Sequence, residues 1–388
     1  MTRFRRVAVT GFLPAVLALL VAVVLLGIVL RILGADPLTS LVALFDFGET
    51  PRAQANQMRS WVNGSVPLFL SGLAVSIGFR MGLFNIGVEG QYRIAGLVAA
   101  WFAATVALPA FLAIPVTIVV GMATGALYAL IPAVLKVSRG VNEVITTIML
   151  NSIVGGLIAY LLRGPFRDPA LGDSASGRTA GVREEAWFPG FDNPFGWLGM
   201  DTPSRPLGGF LIVAVLVGVI VAVGLSRTRF GFNLRASGSN PEAAATSGVG
   251  ASRMIVQAML ISGAIAGLVG LPQVLGDDHG YGAESFALGF GFSGIAVALL
   301  GRNHPLGIGL AAILFAFLNR SGPSLQNVNV PPSVVLIAQG VIVLSVVIVN
   351  EVLRRRLLRM EDRKAAADHP APPQQGAPSG TAPAGASA

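Results

Sequence analysis

Residues 111–135 read FLAIPVTIVVGMATGALYALIPAVL, a run of 25 residues without a charged side chain. A helix needs about 20 apolar residues to cross the hydrocarbon core of a bilayer, so this run is long enough to span it. In lipid every backbone polar group must find its partner within the protein, which leaves helices and closed barrels as spanning structures. The unbroken apolar pattern favours a helix over an alternating barrel strand.

Similar apolar runs recur along the chain, which is 53% hydrophobic and 12% charged. We therefore predict an all-α polytopic membrane protein. The first run is longer than the 7–15-residue core of a signal peptide and favours a retained span over that alternative. Residues 34–64 are predicted to be a polar loop. About ten transmembrane helices are expected, some of them broken, at residues 7–30, 65–78, 94–108, 111–135, 141–162, 207–225, 254–275, 286–300, 306–318 and 333–349.

The composition excludes several classes of site. The chain has no cysteine, which excludes disulfides, thiolate catalysis and Cys-ligated metals. Its three histidines are far apart in sequence, so we expect no metal site. A membrane enzyme would need a clustered catalytic set, and the sequence contains none. The net charge of +8 is not accompanied by any nucleic-acid-binding motif.

The distribution of basic residues predicts the orientation. With a cytoplasmic N-terminus, 18 of the 27 basic residues fall in cytoplasmic segments, as the positive-inside rule requires. We divide the chain into a cytoplasmic N-terminus (1–6), a transmembrane domain (7–353) and a cytoplasmic tail (354–388) that is first basic and then disordered. Within the domain, residues 163–206 form a long external loop and residues 226–253 a cytoplasmic loop.

The cytoplasmic loop reads SRTRFGFNLRASGSNPEAAATSGVGASR and contains strong helix signals. Asn240 is a good N-cap and Pro241 suits the first helical position. Glu242 follows in the first turn, where the helix dipole favours an anion, and Gly248 and Gly250 end the helix. The loop is either an ordinary basic connection or a coupling helix that docks into a separate motor protein. The two lysines, Lys136 and Lys364, lie outside any GxxxxGK[ST] pattern, so a motor would be another polypeptide.

Two further stretches place polar residues between apolar runs. Residues 81–93, MGLFNIGVEGQYR, carry Asn85, Glu89 and Gln91. They resemble a broken-helix site or gate, because polar groups at membrane depth are costly unless they face a cavity or a partner. The alternative is a tight cytoplasmic turn in which Glu89 pairs with Arg80 or Arg93.

Residues 140–151, GVNEVITTIMLN, form a polar stripe at helical spacing. Such a stripe faces the interior of a bundle, either as interhelical glue or as pathway lining. Its members are Asn142, Glu143, Thr146, Thr147 and Asn151.

Four stretches together resemble one family, the permease subunits of ABC importers. They are GLFNIGVEGQ (82–91), GVNEVITTIMLN (140–151), GSNPEAAATSGV (238–249) and GFSGIAVALLGRNHPLG (291–307). Their order and length are similar to those of the sugar and nucleoside (branched-chain-type) permeases, most of all the nucleoside permeases. Glu242-Ala243-Ala244 followed by Gly248 is similar to the EAA-x3-G coupling pattern. The downstream Ile-x-Leu-Pro part of that pattern is not recognisable.

The resemblance implies a multi-pass subunit of the bacterial plasma membrane that works with other proteins. These permeases pair with a second permease chain, identical or different, and sit on two cytosolic ATPase subunits. They receive substrate from an extracytoplasmic binding lipoprotein. ATP and Mg would be bound by the ATPase, with no cofactor in this chain and no ATPase site of its own.

We expect inward transport of nucleosides by alternating access. The ATPase-coupling residues are Gly238, Asn240, Pro241, Glu242, Ala243, Ala244 and Gly248. The pathway or gate candidates are Phe84, Asn85, Glu89, Gln91, Asn142, Glu143 and Asn151; Phe84 would stack on a base or belong to the core. Alternatives are a permease for simple sugars such as ribose or galactose, and an ion-coupled secondary transporter, for which only Glu89 and Glu143 approach membrane depth.

Overall fold

The computed structural model describes residues 13–172, 177–283 and 286–368. Within these ranges the fold is all-α, as predicted, with one short antiparallel pairing of β1 (Gly190–Phe191) and β2 (Leu207–Gly208). A π-helical turn covers Gln273–Asp277. The α-helices are α1 (Leu13–Ile32), α2 (Pro37–Ala43), α3 (Pro51–Arg80), α4 (Val88–Thr105), α5 (Ala110–Arg139), α6 (Glu143–Arg163), α7 (Phe210–Arg227), α8 (Arg229–Ser239), α9 (Pro241–Thr246), α10 (Ala251–Ala266), α11 (Phe290–Leu300), α12 (Pro305–Gln326) and α13 (Val334–Asp368).

The chain forms two compact units. One is Ala22–Leu344, which contains the features described below. The other combines the described residues up to Val21 with those from Ser345 to Asp368. In that second unit, Arg355 Nε donates to Glu351 Oε1 at 2.6 Å, one helical turn away on α13.

Six helices in the described ranges are long and apolar enough to cross a membrane: α3, α5, α6, α7, α12 and Val334–Leu353 of α13. A seventh crossing results if Leu20–Ile32 and Pro37–Ala43, which are bent by 116°, count as one broken span. The count of about ten is therefore not confirmed. The predicted span at 254–275 is divided into α10, a turn and the π-helical turn. The one at 94–108 belongs to α4, whose first turns carry Glu89 and Arg93.

The prediction of a polar loop at residues 34–64 is wrong for most of that range. Residues Pro37–Ala43 form α2, and α3 begins at Pro51 and runs for 30 residues. Thr50 caps α3 by accepting a hydrogen bond from Ala53 N at 3.1 Å, and Pro51 occupies its first turn. The polar first half of α3 packs against the long loop, where Asn56 Nδ2 donates to Ser204 Oγ at 3.1 Å. Hydropathy alone could not recognise this half as helix.

The predicted tail is also partly helical. The helix α13 continues to Asp368, so disorder immediately after Lys364 is wrong for residues 365–368, where Ala-rich sequence sustains the helix. Residues 1–6 and 369–388 lie outside the described residues.

Close packing of α5 against α10 depends on glycine. The two helices meet through Gly121 and Gly125 on α5 and through Gly263 and the adjoining Gly267 on the other side. A Cβ on Gly125 would lie 2.2 Å from Gly263 O, and one on Gly267 would lie 2.1 Å from Gly121 O. Gly121 with Gly125, and Gly263 with Gly267, have the GxxxG spacing that lets membrane helices approach backbone to backbone.

The centre of the bundle is α3, which contacts α10, α11 and α12. Its buried side chains include Leu68, Leu70, Leu73 and Ile77. By contrast α5, α6 and α7 expose rows of large apolar side chains. Such faces suit contact with lipid or with another membrane subunit.

Four connections lie together at one end of the bundle, which we call the coupling-loop end. They are residues 81–87, 140–142, 228–250 and 301–304. Arg80 Nη2 donates to Asn303 O at 2.5 Å, and Phe84 N donates to Glu143 Oε1 at 3.3 Å. The long loop and residues 278–283 meet at the opposite end, where Thr179 N donates to Tyr281 O at 3.0 Å.

Candidate functional site

The coupling loop, residues 228–250, contains two helices where the sequence analysis predicted one. Thr228 caps α8 by accepting from Gly231 N at 3.3 Å, and Asn240 caps α9 by accepting from Ala243 N at 3.0 Å. Asn240 is extended, with φ −154° and ψ 97°, so it ends α8 and begins α9. The short helix predicted from Asn240 and Pro241 is thus confirmed, and α8 is an addition.

Gly248 ends this segment as the sequence predicted. Its φ of +81° lies in the left-handed region that favours glycine. Gly248 N donates to Ala245 O at 3.0 Å and Val249 N donates to Ala244 O at 3.0 Å. These two bonds form the capping pattern that satisfies the last carbonyls of a helix.

Most of α9 faces solvent. Pro241, Glu242, Ala243 and Ala245 are exposed, whereas Ala244 is 4% exposed and anchors the helix. The side chain of Glu242 makes no hydrogen bond or ion pair in the described part of the chain. Ala244 is thus the buried residue of α9, and the acidic first turn of the helix faces outward. The exposed surface of α9 is not covered by other described residues.

The coupling loop touches the bundle through Gly238, near the end of α8. A Cβ at Gly238 would lie 2.1 Å from Arg80 O and 3.0 Å from Met81 Cα. The backbone of α8 therefore packs directly on the last residue of α3 and on the start of residues 81–87. Only glycine allows this approach, since a side chain at this position would clash with the end of α3.

Residues 81–87, which we call the buried turn, are held by an amide network. Asn85 is 1% exposed, and its side chain exchanges two hydrogen bonds with that of Gln91, at 3.1 and 3.0 Å. Asn85 Nδ2 also donates to Ser262 Oγ at 2.9 Å, and Ser262 Oγ donates to Ala74 O at 2.7 Å. The network therefore joins the buried turn to α3, α4 and α10.

Glu89 caps a helix from another part of the chain. It is 5% exposed, and its carboxylate accepts from Gly289 N at 3.0 Å and from Gly291 N at 2.9 Å, at the start of α11. The Tyr92 hydroxyl lies 3.0 Å from the same carboxylate. A carboxylate at a helix N-terminus satisfies free N–H groups and complements the dipole. Its hydrogen bonds thus go to α11 and Tyr92, and the suggested pairing with Arg80 or Arg93 is wrong.

The polar stripe of α6 contacts the same turn. Asn151 Nδ2 donates to Ile86 O at 3.0 Å, and its Oδ1 accepts from Gly90 N at 2.9 Å. Glu143 accepts from Lys136 Nζ at 2.5 Å, and Asn142 caps α6 by accepting from Val144 N at 2.8 Å. These contacts favour the first of the two alternatives for this stripe, in which its side chains hold helices together by hydrogen bonds, over the lining of a pathway.

The structure therefore brings most of the pathway candidates together around the buried turn, with their polar groups engaged by the protein. Phe84 differs, because it is 44% exposed and packs on Phe79 with ring centroids 4.6 Å apart. Asn142 is exposed at the start of α6. A role in holding or releasing the turn fits this arrangement better than direct lining of an open channel.

A cavity of about 250 Å³ lies at the opposite end, and the sequence analysis missed it. Its polar residues include Arg59 and Asn63 on α3 and Asp277 in the π-helical turn. The first two fell in the supposed loop, and the third lies just beyond a predicted span. A sequence signal was present: Pro272 and Gly276 interrupt the apolar run there, and π-helical turns are frequent at functional sites.

Near this cavity, His279 stacks on Trp187 with ring centroids 4.0 Å apart. It lies outside the membrane-spanning segments. Burial lowers the pKa of His279 below its ordinary value, and the neighbouring Asp277 and Asp278 carboxylates oppose that shift.

Comparison with known proteins identifies the family. Residues 57–347 match the family described as the permease component of the branched-chain amino acid transport system. The chain belongs to this permease family. The match extends from the first half of α3 into α13, so it includes the buried turn, the coupling loop and the cavity.

Individual relatives of this permease carry transport functions in their names. It is 35% identical to the nucleoside ABC transporter permease protein NupB of Lactococcus lactis, over 71% of this chain and 75% of that one. It is 37% identical to the guanosine ABC transporter permease protein NupP of Bacillus subtilis, over 72% and 78%. It is also 35% identical to the glucose ABC transporter permease protein TsgB13 of Haloferax volcanii, over 85% of each chain.

Proposed function

We propose that this permease is the membrane-spanning subunit of an ABC importer that moves nucleosides inward. Two of the relatives just described are named for nucleoside or guanosine transport, and each match covers more than two thirds of both chains. The proposed orientation has the coupling-loop end in the cytoplasm. Arg80, Lys136, Arg139, Arg227 and Arg302 lie at or beside helix ends there, which agrees with the positive-inside rule.

The observation that carries the proposal is the exposed α9 above the buried turn. We assign α9 as the surface on which a cytosolic ATPase subunit docks. Glu242 would present a carboxylate to that partner, and Ala243 a small surface that allows close approach. ATP and Mg²⁺ would be bound by the ATPase, which supplies the energy for transport.

The contacts between the coupling loop and the bundle support alternating access. When the ATPase moves α9, α8 moves with it and pushes through Gly238 on the last residue of α3. The buried turn links this point to α4, α6, α10 and α11 through Asn85, Asn151 and Glu89. Two arrangements of this turn would correspond to inward- and outward-facing states. Asn85, Glu89 and Gln91 then act in the gate.

Completion of the pathway requires other chains. We propose that the apolar outer faces of α5, α6 and α7 include the contact with a second permease subunit, identical or different. An extracytoplasmic binding lipoprotein would deliver substrate at the end opposite the coupling loop. The long loop forms much of that end, which supports it as the surface that the lipoprotein would contact.

The test is charge reversal at Glu242. Glu242→Arg removes no contact within the described residues and disfavours the first turn of α9 by only about 0.3–1 kcal/mol. In proteoliposomes containing the whole importer, we expect ATP-driven guanosine uptake to fall at least 10-fold and ATPase co-purification to weaken. Membrane insertion should be unchanged.

The control for this experiment is Glu49→Arg, an equivalent reversal at an exposed acid beside the start of α3. It should leave ATPase co-purification at the wild-type level, since it lies at the end of the bundle opposite the coupling loop. Normal uptake by Glu242→Arg would remove the coupling role of α9.

Import of a simple sugar is the second candidate function, because the glucose permease relative aligns over the larger share of this chain. Competition distinguishes the two substrates. Excess unlabelled glucose or ribose should leave guanosine uptake unchanged, and excess adenosine or uridine should reduce it. Labelled glucose uptake without labelled guanosine uptake would assign the chain to sugars.

A further inference from the structure

The 250 Å³ cavity at the end opposite the coupling loop is built from several separate parts of the chain. The first half of α3 contributes Arg59 and Asn63, and the long loop contributes Phe188. The π-helical turn contributes Asp277. Its volume is below the roughly 300–1,000 Å³ of pockets for drug-sized ligands, so it suits a molecule of one or two rings.

One side of the cavity is polar and structurally fixed. Arg59 donates through Nε to Pro206 O at 2.8 Å and through Nη2 to Asp277 Oδ1, which ties α3 to the long loop and to the π-helical turn. Asn63 Oδ1 accepts from Gly208 N at 3.0 Å. Its Nδ2 donates to no group in the described ranges, so this side offers an amide donor beside an ion pair.

The cavity is also lined by aromatic side chains. Phe188 and Phe210 lie edge to face with centroids 5.2 Å apart, and Phe290 also lines the cavity. Aromatic faces bind flat rings through dispersion and quadrupole interactions. Polar side chains together with aromatic side chains around one cavity match a ligand with a planar ring and a polyhydroxylated part.

We infer that this cavity is a nucleoside-binding station, the first that substrate meets on entering the permease. The base packs among Phe188, Phe210 and Phe290, and the ribose hydroxyls bond to Asn63 and to the Arg59–Asp277 pair. This inference rests on the proposed function and adds a binding site to it. The π-helical turn is what brings Asp277 to the cavity wall.

A single glycine allows the cavity to be filled selectively. A Cβ on Gly276 would meet no atom within 4 Å, and the residue is outside the left-handed region. Gly276→Leu therefore extends into open space at the cavity instead of clashing with the protein. Gly340→Leu on α13 is the matched control, since a Cβ there also meets nothing within 4 Å and the position is exposed.

The experiment measures guanosine uptake by the reconstituted importer. We expect Gly276→Leu to raise the KM for uptake or lower its rate at least 10-fold, while ATP hydrolysis by the complex continues and Gly340→Leu behaves as wild type. If the wild-type importer takes up guanosine and Gly276→Leu does not change that uptake, the binding station is overturned but the proposed function is not. A wild-type importer that carries glucose and no nucleoside would overturn both.

Photolabelling keeps the inference testable if Gly276→Leu folds poorly. Illumination of the wild-type complex with 8-azidoadenosine should label peptides that contain Phe188 or Phe210, and excess guanosine should prevent it. Labelling confined to other peptides, or labelling that guanosine does not reduce, would overturn the assignment.

Discussion

Glu89 provides the sharpest test of the interhelical contacts. Its carboxylate accepts from two backbone N–H groups at the start of α11, at 3.0 and 2.9 Å. Glu89→Ala leaves both donors without that acceptor, and a buried unsatisfied donor costs about 1–3 kcal/mol. We therefore expect a loss of about 2–6 kcal/mol, reduced where removal of the buried charge is itself favourable.

Glu89→Gln refines the same prediction. Its amide oxygen can accept from one of the two N–H groups, while its NH₂ faces the other, so the expected loss is about 1–3 kcal/mol. Thermal unfolding of the purified chain in detergent should rank the variants as wild type, Gln and Ala in decreasing stability. Glu49→Ala, at an exposed acid, is the control. A Glu89→Ala protein within about 0.5 kcal/mol of wild type would refute the capping role.

Two further predictions concern packing and protonation. Gly263→Val should prevent close approach of α5 and α10, because even a Cβ at this position would lie 2.5 Å from Gly125 O. Well-folded, monodisperse Gly263→Val protein would contradict the packing. The control is Gly155→Val, at a position where a Cβ meets nothing within 4 Å. His279 should titrate below about 6.5 in ¹³C-histidine NMR, since burial lowers its pKa, so it is neutral at pH 7 and acquires its charge only as the pH falls further. His279→Gln identifies its resonance among three histidines, and a midpoint at or above 6.5 would contradict the burial argument.

Local signals in the sequence predicted local structure well. Asn240, Pro241 and Gly248 specify both ends of α9 by capping chemistry, which involves residues within a few positions of each other. The unbroken apolar runs predicted the all-α membrane fold for a similar reason. Family membership also agrees with the resemblance drawn from the four stretches.

Contacts between distant residues were beyond the sequence. Glu89 was recognised as unusual, but its partners Gly289 and Gly291 lie about 200 residues away. The GxxxG spacing at Gly121 and at Gly263 is visible in the sequence, yet nothing local indicates that these two motifs pack on each other. The cavity likewise depends on α3, the long loop and the π-helical turn meeting in space.

The predicted count of about ten spans was not confirmed, and hydropathy does not report breaks or polar helical halves. The 30-residue α3 is apolar only in its second half, and its first half is held by contacts such as Asn56 with Ser204. Conversely, the single run at 254–275 is interrupted after Ala266. Both cases are decided by tertiary contacts and not by mean hydropathy.

The central claim is that a separate ATPase drives nucleoside import through this chain. The most direct test is guanosine uptake into proteoliposomes that contain the permease and its binding protein, with and without the ATPase subunits and ATP. The account predicts concentrative uptake only when both the ATPase and ATP are present. Concentrative uptake by the permease without them would contradict it and would indicate ion-coupled transport.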